Sequence, residues 1–132
     1  MHEDVDDAIY HYEKAVTLSP KRPEIYYNLG NALCSKSDYD NAIGAYALAI
    51  EFDSSNAQAF YNLGNALYMI SRVSDAVKAY LHALEINPAA PETHFNLASA
   101  YTDLEDFKGA TKHYNRAIEH DSKNTETYVC LA

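Results

Sequence analysis

Apolar residues recur along the chain at spacings of three and four. Tyr26, Leu29 and Leu33 form one such series, and Ala42 and Tyr46 belong to the next, with polar residues between them. These spacings place the apolar side chains on one face of an α-helix, which predicts helices that each bury a single side. The pattern predicts helices over residues 5–18, 24–36, 39–52, 58–70, 73–86, 92–104 and 107–120.

One segment returns with a period of 34 residues, the distance from residue 27 to residue 61. The heptapeptide Tyr-Asn-Leu-Gly-Asn-Ala-Leu over 27–33 is unchanged over 61–67 and weaker over 95–101. Other positions keep the same phase. They include the small residues Gly30, Gly64 and Ala98, the tyrosines Tyr12, Tyr46, Tyr80 and Tyr114, and the alanines Ala8, Ala15, Ala42, Ala49, Ala76, Ala83, Ala110 and Ala117. A fixed period of this size indicates a small unit stacked on copies of itself.

This pattern of small and aromatic positions resembles the tetratricopeptide repeat, a helix-turn-helix unit. The resemblance implies an all-α fold, a right-handed superhelical solenoid of antiparallel helix pairs. Two departures are mild: His94 stands where the family prefers Trp, and Ser54 replaces a closing proline. The predicted organisation is one array over 1–132, divided into the second helix of a partial repeat (1–22), repeats at 23–56, 57–90 and 91–124, and the start of a further repeat (125–132).

Residues near the predicted helix ends suit those positions. Asp4, Asp38 and Asp106 are placed to cap second helices, and Pro23 and Pro91 suit the first turn of the helices that follow. Glycine inside a helix costs about 1 kcal/mol relative to alanine. The glycines within the predicted first helices therefore indicate that a partner helix approaches closely.

The phase of the repeats at the two ends predicts an excised segment of a longer array. The chain opens with a lone second helix and stops at Ala132, inside a first helix. Natural arrays usually close with a polar capping face, whereas Tyr128 and Leu131 begin a new apolar series. Head-to-tail self-association through uncapped ends is therefore one expectation.

Composition narrows the class of partner. The chain has 10 basic and 19 acidic residues, for a net charge of -9, which disfavours nucleic acid and anionic membranes. No cluster of Lys and Arg is evident, and no apolar run approaches the roughly 20 residues that span a bilayer. Cys34 and Cys130 are almost three repeats apart, so we expect reduced thiols and a cytoplasmic or nuclear protein.

Signals for catalysis are poor, and we expect no enzyme activity, metal or cofactor. The six histidines match no metal-ligand spacing, and the cysteines form no Cys-x-x-Cys pair. The acidic pair Asp6-Asp7 adjoins a predicted helix start, where negative charge is favoured. His94 occupies an aromatic position of the repeat and is interpreted as a packing substitute.

The resemblance implies that first helices line a concave groove, which is then the candidate binding surface. Its predicted peptide-binding residues are Tyr27, Asn28, Asn31, Tyr61, Asn62, Asn65, Tyr68, Phe95, Asn96 and Ser99. Asn28, Asn62 and Asn96 form an asparagine ladder, similar to that of O-GlcNAc transferase repeats, and amides offer a peptide backbone both donors and acceptors. The alternative is that these asparagines are simply common at this position and solvated.

The function predicted is a protein-interaction scaffold that binds an extended peptide or partner protein in the groove. A chaperone-tail clamp of the family is not expected, because Tyr27, Glu92 and Asn96 stand where its bases would be. The partner is therefore expected to be neutral or basic. Two alternatives remain: a substrate-recruiting arm of a larger enzyme such as an O-GlcNAc transferase-like protein, and an assembly module that uses its ends or the exposed-looking Leu48 and Leu81.

Overall fold

The protein is described by a computed structural model that covers residues 2–120. This part of the chain contains helices and no strand. The helices are α1 (His2–Leu18), α2 (Pro23–Ser35), α3 (Tyr39–Phe52), α4 (Ala57–Met69), α5 (Val73–Ile86), α6 (Pro91–Asp103) and α7 (Phe107–His120). Cys130 and the predicted further repeat lie outside the described residues.

The helices pack as antiparallel hairpins stacked in chain order. The most extensive contacts lie within the pairs α2–α3, α4–α5 and α6–α7, and each hairpin contacts the next through its neighbouring helices. The core follows the stack, with Tyr46, Tyr80 and Leu97 as its largest fully buried side chains. The predicted all-α solenoid is therefore confirmed.

Helix limits agree with the sequence pattern to within one residue, except at α1. The helices α3 and α5 have the predicted limits, α7 begins at the predicted residue, and α2, α4 and α6 begin and end one residue earlier. Pro23 and Pro91 lie in the first turn, as predicted. The prediction that Asp4 caps α1 is wrong, because α1 already begins at His2. Glu3 and Asp4 therefore lie in the first turn of α1, where negative charge is favoured.

The two remaining predicted caps differ in outcome. Asp106 Oδ1 accepts a hydrogen bond from the backbone N–H of Gly109 at 3.1 Å, as a cap should. Asp38 makes no such bond, because its Oδ2 accepts from the side chain of Asn41 at 2.8 Å. Gly109 occupies the position of Asn41 but has no side chain to compete for the carboxylate. The cap at Asp106 is confirmed, and the cap at Asp38 is wrong.

We expect Asp106→Ala to destabilise the protein by about 1 kcal/mol, because it removes the acceptor for an otherwise unpaired helix N–H. The matched control is Asp38→Ala, which removes the equivalent carboxylate where no capping bond exists. Urea unfolding followed by circular dichroism measures both. Equal losses for the two variants would contradict the assignment of the cap.

The turn inside each hairpin contains a residue in the left-handed region. Ser37, Ser71 and Glu105 have φ values of 63°, 66° and 61°. In the first hairpin Ser37 N–H donates to Cys34 O and the next N–H donates to Leu33 O, both at 2.9 Å. These two bonds satisfy the last carbonyls of α2 and define a Schellman motif. The motif reverses the chain within a few residues, although no glycine is present there.

Gly30 and Gly64 lie where a tyrosine ring from the partner helix touches the helix backbone. A Cβ atom on Gly30 would be 2.6 Å from Tyr46 Cε1, and one on Gly64 would be 2.6 Å from Tyr80 Cε1. Contacts this short require the ring to move. The predicted close approach of the two helices is therefore confirmed, and the approaching group is the ring itself.

The residue at the opening aromatic position is a hydrogen-bond donor in the first and third repeats. Tyr26 Oη donates to the carbonyl of Pro20 at 2.6 Å, and His94 Nε2 donates to the carbonyl of Pro88 at 2.7 Å. In the second repeat the aromatic residue is Phe60, which has no donor, and the position equivalent to Pro20 and Pro88 is Ser54. His94 is thus a packing substitute, as predicted, and it reproduces the contact that Tyr26 makes.

Candidate peptide-binding groove

All the predicted groove residues lie on the first helices of the hairpins. Those from the first hairpin are on α2, those from the second on α4 and those from the third on α6. Hydrogen bonds and two adjoining pockets bring most of them together across the junctions between hairpins. Their role in binding stays a prediction.

The junction between the first two hairpins contains a hydrogen-bond network centred on Asn31. Its Oδ1 accepts from Tyr46 Oη at 2.5 Å and from Asn62 Nδ2 at 3.0 Å. Asn62 Nδ2 also donates to Tyr27 Oη at 3.4 Å. The amide of Asn62 therefore bonds backward to the preceding hairpin, and both of its donors are used.

The same network recurs one repeat later. Asn65 Oδ1 accepts from Tyr80 Oη at 2.6 Å and from Asn96 Nδ2 at 3.0 Å. Asn96 Nδ2 donates in addition to Tyr61 Oη at 3.0 Å. Burial raises the pKa of Tyr80, so its hydroxyl stays protonated and remains a donor. The repeated heptapeptide thus encodes a repeated junction.

The third hairpin departs from this network. Ser99 replaces the central asparagine, and Phe95 replaces the tyrosine that would accept the second bond. Ser99 Oγ donates to its own helix, at the carbonyl of Phe95, and lies 3.5 Å from Tyr114 Oη. The groove therefore presents a less strongly bonded surface on α6 than on α2 and α4.

These bonds change what the asparagine ladder offers to a ligand. The donors of Asn62 and Asn96 are occupied, and their Oδ1 atoms accept no hydrogen bond from any described residue. Asn28, the first member of the ladder, is exposed, and its side chain makes no hydrogen bond within residues 2–120. Asn62 and Asn96 consequently present acceptors to the groove, and only Asn28 presents both the donor and the acceptor of its amide.

Two pockets of similar size follow the groove and meet between α4 and its neighbours. The first encloses about 290 Å³ and the second about 270 Å³. Asn65 and Met69 line both pockets, so the two form one continuous groove. The first is lined by Asn65, Tyr68, Met69, Tyr80, Asn96 and Ser99, and the second by Asn31, Cys34, Tyr39, Tyr46, Asn62, Asn65, Ala66 and Met69.

The charge of the groove is negative. The helices α2, α4 and α6 contain no Lys or Arg, whereas the exposed Glu24, Glu92 and Asp103 lie on them. The Asp103 carboxylate accepts a hydrogen bond from Tyr68 Oη, which raises the pKa of Tyr68 to about 12. The tyrosine is therefore protonated at neutral pH. Glu92 and Asp103 remain available to attract a cation, whereas Glu24 is already paired with Arg22 at 2.8 Å.

Other chemical features of the groove are inert. Among residues 2–120 no group of three or more His, Cys, Asp or Glu side chains is placed to hold a metal ion. Cys34 is a free thiol whose pKa is raised by burial, and its Sγ lies 3.6 Å from Tyr46 Oη, whose hydrogen is donated to Asn31. None of the described helices combines the length and the apolar character of a membrane span.

A cationic feature was missed by the sequence analysis, which found no cluster of Lys and Arg. Lys108, Lys112 and Arg116 are four residues apart and all lie exposed along α7. We call these three residues the basic stripe. The three bases are not adjacent in sequence, but their spacing of four residues places them on one face of a helix.

The stacked helix pairs and the groove lined by amides and aromatic residues define a helical-repeat solenoid. Comparison with known families matches residues 3–34 and 30–71 to "TPR repeat" and residues 57–89 and 91–124 to "Tetratricopeptide repeat". The chain therefore belongs to the tetratricopeptide repeat family, whose members serve as protein-interaction scaffolds.

Solved structures with the same fold carry the name MamA. "Crystal structure of MamA" is 25% identical with a TM-score of 0.92, over 96% of this chain and 74% of that one. "Crystal structure of MamA protein" is 28% identical with a TM-score of 0.85, over 92% and 67%. "MamA 41-end from Desulfovibrio magneticus RS-1" is 21% identical with a TM-score of 0.85, over 92% and 69%, and supports the fold alone. No curated protein matches the chain.

Proposed function

We propose that this segment is a scaffold without chemistry of its own that binds an extended peptide in the groove formed by α2, α4 and α6. The observation that carries the proposal is the alignment of the Asn62 and Asn96 Oδ1 acceptors in one continuous groove. Their donors are held by the preceding hairpin, so the position of each acceptor is fixed before a ligand arrives. Preorganised groups lose little conformational entropy on binding.

The chemistry of the groove selects ligands that donate hydrogen bonds. Backbone N–H groups of an extended peptide are suitable donors, and so are the side chains of Lys and Arg. Acceptors spaced by one repeat contact the ligand at intervals, so they recognise its extended shape more than its sequence. Glu92 and Asp103 add attraction for a cation and repel an acidic tail. The ligand proposed is therefore an extended peptide that is neutral or basic.

The test of this function is capture of partners by the wild-type chain and by Asn28→Ala/Asn62→Ala/Asn96→Ala, with the bound proteins identified by mass spectrometry. Peptides from the captured partners are then titrated by fluorescence polarisation. Each buried acceptor bonded to a ligand N–H contributes about 1 kcal/mol, so the triple variant should bind at least tenfold more weakly. Unaltered affinity in the triple variant would contradict the proposal.

Two controls separate lost binding from lost packing. Asn28→Ala removes an exposed amide that makes no bond within the described chain, so its effect on affinity is free of folding effects. Tyr61→Phe removes the second acceptor of the Asn96 amide and leaves the Asn96 Oδ1 in the groove. We expect Asn28→Ala to weaken the peptide and Tyr61→Phe to lower stability slightly without changing affinity.

A further inference from the structure

The basic stripe lies on the outer face of the solenoid, away from the groove. Its three side chains are exposed and succeed one another at four-residue intervals on α7. His120 continues the series at the end of the helix and is also exposed. Three of the ten Lys and Arg residues of the chain are thus concentrated on one line of one helix.

The positions equivalent to the stripe are exposed one repeat earlier, where a further helix packs against α5. One repeat earlier the equivalent positions on α5 are Ser74, Lys78 and His82, and all three are exposed although α6 packs against α5. In contrast, Val77 of α5 is buried, and the equivalent Thr111 of α7 is exposed. The packing of α6 on α5 thus covers Val77 and leaves the positions equivalent to the stripe exposed.

The stripe is specific to this end of the molecule. The equivalent positions on α3 are Asp40, Gly44 and Leu48, which carry no base. On α5 the one Lys or Arg among these positions is Lys78. The equivalent positions on α1 carry one base, Lys14, so the bases number one on α1, none on α3, one on α5 and three on α7, in a chain whose net charge is -9.

A pocket of about 650 Å³ adjoins the stripe between α5 and α7. Leu81, Leu84 and Pro88 provide its apolar side, and Lys112 and Arg116 provide its cationic side. Leu81 is 39% exposed, which confirms the exposure expected from the sequence. Apolar surface next to fixed cations suits a ligand that carries an apolar side chain beside carboxylates. Glu85 and Glu119 lie near the rim, and Glu119 Oε2 is 3.8 Å from Arg116 Nη1.

We propose that the stripe and this pocket bind an acidic segment of a partner protein, which inserts an apolar side chain of leucine size between α5 and α7. This surface is separate from the groove and selects the opposite charge. A scaffold with two such faces holds a neutral or basic peptide on its inner side and an acidic segment on its outer side.

Two other occupants are disfavoured by charge. A second copy of the chain also has a net charge of -9, so the copies repel each other at low salt. Nucleic-acid sites neutralise several phosphates with clustered bases, whereas here three bases are accompanied by Glu85 and Glu119. Both occupants are nevertheless outcomes of the test.

The test uses the whole 132-residue chain and a fluorescent peptide of glutamates with two leucines near its centre. The charge-reversal variant is Lys108→Glu/Lys112→Glu/Arg116→Glu. Its matched control, Lys14→Glu/Lys21→Glu/Arg22→Glu, makes the same change in net charge at the other end. We expect the stripe variant to bind at least tenfold more weakly and the control to change affinity less than threefold, with binding weakened by salt.

Several results would overturn the proposal. These are failure of the wild-type chain to bind the peptide, equal losses in the two charge-reversal variants, or tighter binding of a single-stranded oligonucleotide. Light scattering that shows a dimer abolished only by the stripe variant would assign the surface to a second copy. Circular dichroism establishes that each variant is folded. Asn28→Ala should bind the acidic peptide normally, so failure of the groove and failure of this surface are distinguishable.

Discussion

Gly64→Val is expected to lower the free energy of unfolding by about 3 kcal/mol, because a side chain there overlaps a buried ring. The new Cβ would lie 2.6 Å from Tyr80 Cε1 and 2.7 Å from Cδ1. Tyr80 is 1% exposed, and its hydroxyl is bonded to Asn65. The ring is held by its packing and by this bond, so we expect α4 and α5 to separate.

The control is Gly44→Ala, on the exposed face of α3. A Cβ at Gly44 meets no atom within 4 Å, so the variant gains helix propensity without a clash. We expect it to stabilise the protein by up to about 1 kcal/mol. Chemical unfolding followed by circular dichroism measures both variants. A Gly64→Val protein as stable as the wild type would show that Tyr80 does not pack as described.

Acidification from pH 7.5 to pH 5 is expected to destabilise the third hairpin through its buried histidines. His94 and His113 are buried, with their Nδ1 atoms 2.9 Å apart and their rings stacked. His94 Nε2 must carry a proton to donate to Pro88, so in the neutral pair His94 Nδ1 accepts and His113 Nδ1 donates. A second proton on His94 would place two N–H groups against each other.

The sign of the effect follows from the pKa values. Burial lowers the pKa of His113 to about 4, assisted by the charges of His94, Lys112 and Arg116. Burial also lowers the pKa of His94, with His120 and Arg116 adding to it and Glu119 and the Pro88 carbonyl opposing it. The unfolded chain therefore binds more protons, and stability falls as the pH drops from about 6.5 toward 4. For His113 alone this amounts to about 2 kcal/mol at pH 5, or roughly 5 °C in melting temperature.

The matched variant restores the residues of the first hairpin: His94→Tyr, His113→Ala and His120→Phe reproduce the pattern of Tyr26, Ala45 and Phe52. Tyr26 shows that a tyrosine at this position bonds to the preceding proline carbonyl and stacks on Phe52 at 5.8 Å. Thermal melts at pH 7.5, 6 and 5 should show a smaller loss in the variant. The same loss in both proteins would assign the acid sensitivity to other groups.

The fold was predictable from the sequence because the repeat supplies several independent signals in one phase. The heptapeptide, the mid-helix glycines and the tyrosines recur together, and apolar spacing fixes the helix limits closely. The predicted helix N-caps at Asp4 and Asp38 were wrong, because capping depends on the residues around each carboxylate. Asn41 competes for one carboxylate, and acidic residues extend α1 at its start.

The hairpin turns and the chemistry of the groove were less predictable. Ser37, Ser71 and Glu105 adopt positive φ without being glycine, because the Schellman bonds around them hold the turn. Sequence also could not show that the amides of Asn62 and Asn96 donate to the preceding hairpin. Those bonds link residues 31 and 35 positions apart, and they turn the expected donor-and-acceptor ladder into one that mainly accepts.

The central claim is that a partner peptide lies in the groove of α2, α4 and α6. The most direct measurement is an NMR titration of the labelled chain with a peptide from a captured partner, in which perturbed side-chain amides identify the bound face. We predict that Asn28, Asn62 and Asn96 shift together and saturate at one affinity. Shifts confined to the outer faces of α3, α5 and α7, with the three amides unchanged, would contradict the claim.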